Sequence, residues 1–271
     1  MALEINALWD FSKPELSEQR FRAALGTASG DDALILQTQI ARTHGLRRNF
    51  AQAQQVLESI ESQVQGAGPE ARVRHALEFG RTLASAAHPP ESQTHETRER
   101  ARAAYLPAFE LAKVNGLDAL AVDALHMLAF VDMAPTEQLK WGREALAIVE
   151  SSSQPAAKKW EASLRNNVGY ALHQLGSHED ALTEFKRAVV LRENGTDAGA
   201  TRVAWWMMAR TLRLLDRLDA ALEIQLRLER EGDATGDPDP YVLEELELIY
   251  RAKDEPGRAA AYSDRKNALS R

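Results

Sequence analysis

The chain has no cysteine in its 271 residues. Disulfides, thiolate nucleophiles and cysteine-held zinc are excluded together, and a reducing compartment fits. Aromatics make up only 6%, and no stretch alternates Val, Ile, Thr and Tyr with polar residues, so strands are not expected. Apolar runs are short, well under the roughly eighteen residues of a membrane span. The opening MALEINALWDF lacks a basic region before an apolar one and does not read as a secretion signal. Cationic side chains are the minority, 33 Lys and Arg against 40 Asp and Glu, for a net charge of −7. That balance argues against a general nucleic-acid binder. Catalytic signatures are missing too: no phosphate loop ending in lysine, no G-x-G-x-x-G, no H-E-x-x-H and no G-x-S-x-G. The expectation is a cytoplasmic, non-enzymatic protein with no cofactor and no metal.

What the chain does contain is apolar residues at three- and four-residue steps, clearest from Ala162 to Gly195. Leu164, Val168, Gly169 and Leu172 mark one short helix; Ala181, Leu182, Phe185, Ala188, Val189 and Leu191 mark a second. Gly176 closes the first, and Ser177 with Asp180 is placed to cap the second. A hairpin this short cannot bury its own apolar face and needs similar hairpins on either side. The rest of the chain supplies them.

Residues 1–30 stand apart as an N-terminal segment and capping helix, with Pro14 opening a helix through Leu25. Trp9 and Phe11 precede it in an extended segment. Two readings stay open for them: they cover the end of the first hairpin, or they reach onto the surface where a ligand would sit. From residue 31 to 271 the pattern predicts one repeat domain of six hairpins. The first runs Asp32–His44 and Phe50–Val64, the second Ala71–Ala87 and Glu96–Val114, and the third Leu117–Val131 and Pro135–Val149. The break at Ser151–Pro155 reads as a linker. The fourth hairpin is the one above; Thr201–Leu215 with Leu218–Glu231, and Pro240–Lys253 with Pro256–Leu269, complete the set. His126 on an apolar helix reads as structural, His173 and His178 are poorly spaced for a shared ligand, and Asp233, Asp237 and Asp239 read as a solvated turn.

On these residues the chain resembles the tetratricopeptide repeat, a 34-residue helix–turn–helix unit. Gly169, Ala181 and Ala188 fall where that family takes small residues, and Val168, Leu172 and Phe185 where it takes large ones. The fifth hairpin matches through Trp205, Met208, Ala209, Leu212 and Ala221, and the first through Ile40, Ala41, Phe50, Ala53, Leu57 and Ile60. The second needs an insertion between Gly80 and Ala101, and the third departs at His126 and Gln138; another type of helical-hairpin solenoid stays open for Ala71–Val149. The resemblance implies an all-α, right-handed superhelical solenoid. It also implies a concave face lined from the first helix of each hairpin. Carried over position by position, that face holds Arg42, Arg81, Asn166, Tyr170, His173, Trp206, Arg210 and Arg213. The family's chaperone-tail clamp, lysine followed four residues later by asparagine, is replaced here by Thr38 and Arg42, Asn166 and Tyr170, Trp206 and Arg210.

The implied function is a scaffold that binds another protein's peptide, helix or tail, with arginine forks and aromatic anchors favouring an acidic segment. The competing reading of the arginines is that they pair with glutamates of adjacent helices. Two further functions stay open: a ligand-responsive regulator whose curvature changes, with hinges at His88–His95 and Ser151–Pro155, and a self-assembling repeat.

Overall fold

A computed structural model describes residues 4–269. Among them are fifteen α-helices and no strand, and no helix is long and apolar enough to cross a membrane. The chain divides between Trp160 and Glu161 into two compact units.

The first unit opens with α1 (Ile5–Leu8) and α2 (Pro14–Leu25) and continues with three hairpins: α3 (Gly30–Leu46) with α4 (Phe50–Val64), α5 (Pro69–Leu83) with α6 (His95–Val114), and α7 (Asp118–Val131) with α8 (Pro135–Ser151). The short α9 (Pro155–Lys158) lies against α7 and α8. The second unit has three more: α10 (Glu161–Gln174) with α11 (His178–Glu193), α12 (Ala198–Leu214) with α13 (Leu218–Thr235), and α14 (Pro240–Ala252) with α15 (Pro256–Leu269). All six expected hairpins are present. Trp9 is extended as expected, but it follows the one-turn helix α1 and gives way to a turn at Phe11 and Ser12; α9 starts at Pro155, the last residue of what reads as a linker.

Six of the ten prolines open helices (α2, α5, α8, α9, α14 and α15), where a missing N–H costs nothing and φ is already helical. The stops share another device. Arg48, Gly116, Gly176, Asp216, Gly236 and Asp254 adopt left-handed backbone at φ 58–77°. In each case the next N–H reaches back five residues: Asn49 to His44, Leu117 to Ala112, Ser177 to Leu172, Arg217 to Leu212 and Glu255 to Tyr250 at 2.9 Å, and Asp237 to Gly232 at 3.0 Å. These bonds satisfy carbonyls that the helix end would strand. Ser177 is therefore used through its backbone, and its hydroxyl makes no capping bond, against expectation. Side-chain caps come instead from Thr94, Asp197 and Asp239.

Packing between paired helices depends on absent side chains. Gly80 on α5 lies under the Tyr105 ring of α6, and Gly169 on α10 lies under the Phe185 ring of α11. A Cβ on Gly80 would sit 2.7 Å from Tyr105 Cζ, and one on Gly169 2.7 Å from Phe185 Cε1. Both rings are fully buried, and the Tyr105 hydroxyl donates to the Ala84 carbonyl at 2.8 Å. The second hairpin thus keeps the repeat's contact despite its long connection. That connection is pinned: the His88 ring stacks on Phe50 at 3.7 Å between centroids, and Gln93 Nε2 donates to the His88 carbonyl at 3.1 Å. In the fifth hairpin the place taken by Leu57, Tyr105 and Phe185 goes to Gln225, which is fully buried with neither amide atom hydrogen-bonded.

Two outcomes follow for thermal unfolding. Gly80→Ala and Gly169→Ala each lose about 1–3 kcal/mol to overpacking, more than the helix-propensity gain of up to about 1 kcal/mol. Gly45→Ala, with open space around its Cβ, gains stability and serves as the control. Gln225→Leu adds about 1–3 kcal/mol of stability by relieving desolvation and so raises the melting temperature; a lower melting temperature contradicts this reading.

Candidate functional site

The predicted binding residues fall on the first helices of the hairpins, and the two units use them differently. In the first unit, Arg42 on α3 and Arg81 on α5 converge on Glu78. Arg42 Nη1 lies 2.9 Å and Arg81 Nη1 2.6 Å from the same Oε1, and the second arm of Arg81 bonds Asp123 of α7. Glu78 is buried. Burial pulls the Arg81 pKa down, but Asp123 and Glu78 more than compensate and the net shift is upward. Burial pushes Asp123 up, and Arg81 with Arg42 brings it below its ordinary value. Both guanidiniums are thus engaged inside the protein. Cavities of about 500 and 220 Å³ flank this cluster, the first reached by Trp9, Phe11 and Gln39, the second by His126 and Phe130.

The second unit is more open. Arg213 forks onto Glu245 of α14 through Nε at 2.7 Å and Nη2 at 3.0 Å. Arg210 stands 3.8 Å from the same carboxylate, its Nε makes no hydrogen bond, and its guanidinium lies 5.3 Å over the Trp206 ring. Trp206 is fixed by its indole N–H, which donates to the Tyr241 carbonyl at 3.2 Å. Beside it a mainly apolar cavity of about 340 Å³ is lined by Val203, Trp206, Leu228, Tyr241 and Val242, with Arg202 and Asp239 at its edge. Val203 and Tyr241 are 53% and 64% exposed. On α10, Tyr170 stacks on His173 at 6.4 Å, the His173 ring meets Thr211 Oγ1 at 3.4 Å, and the buried Asn166 Oδ1 is unpartnered.

The structure therefore groups Arg42 with Arg81, and Trp206 with Arg210 and Arg213; Tyr170 and His173 join the latter group through Thr211 of α12. The residues missed from sequence are the carboxylates Glu78, Asp123 and Glu245, and the aromatic Tyr241. A signal existed for Asp123. Extending the repeat register puts Asp123 of the third hairpin at the place of Trp206; in the sixth hairpin, aligned on the equivalent stops Asp216 and Asp254, Tyr241 falls at the place of Val203 and Glu245 at that of Met207. The Asp233–Asp239 turn serves helix ends: Gly236 stops α13, Asp239 caps α14 and Asp233 pairs with Arg265 at 3.2 Å.

No protein-family model and no curated protein sequence matches the chain. Solved structures do match in fold. One is a signal transduction ATPase with numerous domains from Pyrococcus horikoshii, carrying a tetratricopeptide repeat sensor. It superposes with a TM-score of 0.74 at 12% identity, covering 94% of this chain and 39% of that one. Another is the aspartyl phosphate phosphatase F of Bacillus subtilis, with a TM-score of 0.57, 14% identity, and coverage of 99% and 79%. The fold is a helical repeat of the tetratricopeptide type.

Four histidines (His44, His88, His126 and His173) have pKa values lowered chiefly by burial. The unfolded chain then binds more protons as pH falls below about 6.5, so stability falls with pH in that window. Asp123, lowered in the folded state, keeps its contribution above its unfolded pKa near 4 and loses it as pH falls through the folded value. A melting temperature several degrees lower at pH 5.5 than at pH 7.5, with a shallower slope in His126→Asn, is the expected result; a flat profile contradicts it.

Proposed function

We propose that this chain is a non-enzymatic binding module, and that the first-helix face of its second unit takes a peptide segment of another protein. The observation that carries the reading is the contrast among arginines. Those of the first unit, and Arg213, are engaged by buried carboxylates, whereas Arg210 keeps donor capacity beside an oriented indole and a preformed apolar cavity. Ready-made concave sites with a few aimed polar groups bind without much reordering. The cavity's volume suits one large apolar side chain, and Arg210 suits a carboxylate next to it.

Aromatic and arginine residues dominate binding energy at such surfaces. The exposed rings of Tyr170 and Tyr241 extend the face to either side of Trp206. Recognition by a preformed wall needs no covalent step, and the hydroxyl–imidazole contact in this group, Thr211 with His173, has its hydroxyl fully buried and donating to the Met207 carbonyl at 2.9 Å. In the Pyrococcus horikoshii match the tetratricopeptide repeat is the protein's sensor.

The test is selection of peptides from a random library on the full chain, followed by titration. Selected peptides are expected to carry a large apolar residue near an acidic one. They should lose at least tenfold in affinity on Trp206→Ala or Arg210→Glu, with helical content unchanged. Arg81→Lys, in the first unit, should leave affinity as it was. Peptides that bind all variants equally would remove this face as the site.

A further inference from the structure

We infer that the first-helix face of the first unit is a separate peptide site, one that takes a segment carrying two aromatic residues spaced one apart. The chain's own Trp9–Phe11 segment is its resident, displaceable occupant. Register gives the starting point. Arg42 holds the place that Arg210 holds in the second unit, and each guanidinium lies over an indole, Arg42 at 5.9 Å from the Trp9 centroid and Arg210 at 5.3 Å from that of Trp206. In the second unit the indole belongs to the wall, four residues before the arginine. In the first unit that wall position is Thr38, fully buried, and the missing aromatic is supplied by the N-terminal segment.

The segment is held as a ligand would be. The Trp9 indole N–H donates to Gln39 Oε1 at 3.0 Å. Phe11 stacks on Trp9 with centroids 4.6 Å apart and planes within 2°, and Arg42 lies 5.8 Å from the Phe11 centroid as well. Both rings line the cavity of about 500 Å³ together with Gln39, Arg42, Leu77 and Asp123. Sealing the end of the helical stack does not account for this, because Phe21 of α2 does so while fully buried and meets Trp9 only edge-on at 5.0 Å. Phe11 stays 59% exposed.

The attachment is light. Ile5 is the buried residue of α1, and the turn that follows is kept in shape by Ser17, whose Oγ accepts from the Asp10 N–H at 2.7 Å and donates to the Asp10 carbonyl at 3.0 Å. Trp9 packs only partly against the core around Ile5 and Phe21, and its contacts to a half-buried arginine and a single amide are individually weak. The segment stays in place because it is tethered, at an effective concentration of roughly millimolar. An incoming segment of the same chemistry with more contacts displaces it. The consequence is a threshold: ligands that do not exceed the resident's contacts are refused.

The experiment uses a fluorescently labelled synthetic peptide copying residues 4–13. It is titrated by anisotropy against the unaltered chain, against Phe11→Ala, and against the double variant Trp9→Ala/Phe11→Ala. Saturable one-site binding is expected to the double variant, at least tenfold weaker binding to the unaltered chain, and an intermediate value for Phe11→Ala. Trp206→Ala and Arg210→Glu leave these titrations unchanged, so failure here is distinct from failure of the second-unit site. Equal affinity for all three chains, or no saturable binding to a double variant of undiminished helical content, overturns the proposal. Should the double variant lose its fold, Phe11→Ala decides: no gain in affinity over the unaltered chain overturns it equally.

Discussion

The close approach of paired helices at a residue without a side chain is the contact on which the hairpins depend. Helices of some fifteen residues are marginal alone in water, and their stability comes from what each buries against its neighbour. Gly80 beneath Tyr105 and Gly169 beneath Phe185 let an aromatic ring replace a Cβ, so that one side chain fills the space between two backbones. Ala41, packed with Ala53 and Leu57, does the same with less bulk. Once the pair is set at that spacing, the first helix of each hairpin turns a polar strip away from its partner. That strip carries the arginines of both faces, Arg42, Arg81, Arg210 and Arg213.

The strip is costly to leave charged and half-buried. Both units meet the cost in the same way, by placing one buried carboxylate between two arginines: Glu78 between Arg42 and Arg81, and Glu245 between Arg210 and Arg213. In the first unit Asp123 completes the balance, giving two arginines and two acids. Among the described residues of the second unit no further acid is paired with them, and the arginine farther from Glu245 lies on Trp206 instead. An excess guanidinium beside an aromatic wall is what distinguishes the first-helix face of the second unit from that of the first. Breaking such a cluster by removing one partner costs far more than the cluster contributes, which ties the face to the fold.

Much of the architecture was legible because the helices begin and end at residues with backbone reasons to be there. Prolines at 14, 69, 135, 155, 240 and 256 mark starts, and Gly176 marks a stop. Three other stops were placed within two residues, at His44, Leu215 and Lys253 against Leu46, Leu214 and Ala252, but not by a glycine: Arg48, Asp216 and Asp254 take the left-handed backbone there, which aspartate visits and arginine does not favour. The five-residue back-bond holds them there whatever the side chain. Ser177 misled for the same reason: the turn needs its N–H and leaves its hydroxyl idle. Of the face, register placed Trp206 and Arg210 together, but not their availability. That depends on acidic residues of the next hairpin, and carboxylates inside apolar helices such as Glu245 between Leu243 and Leu246 read as surface charge until their partners are seen.

The central claim is that internal carboxylates engage some of these arginines and leave Arg210 accessible. Its most direct measurement is the rate of arginine modification by a dicarbonyl reagent on the folded chain, read residue by residue by mass spectrometry. Arg210, with 38% of its side chain exposed, should react well ahead of Arg81 and Arg213, at 13% and 16%. Equal rates for the three, or Arg81 reacting first, would contradict the account.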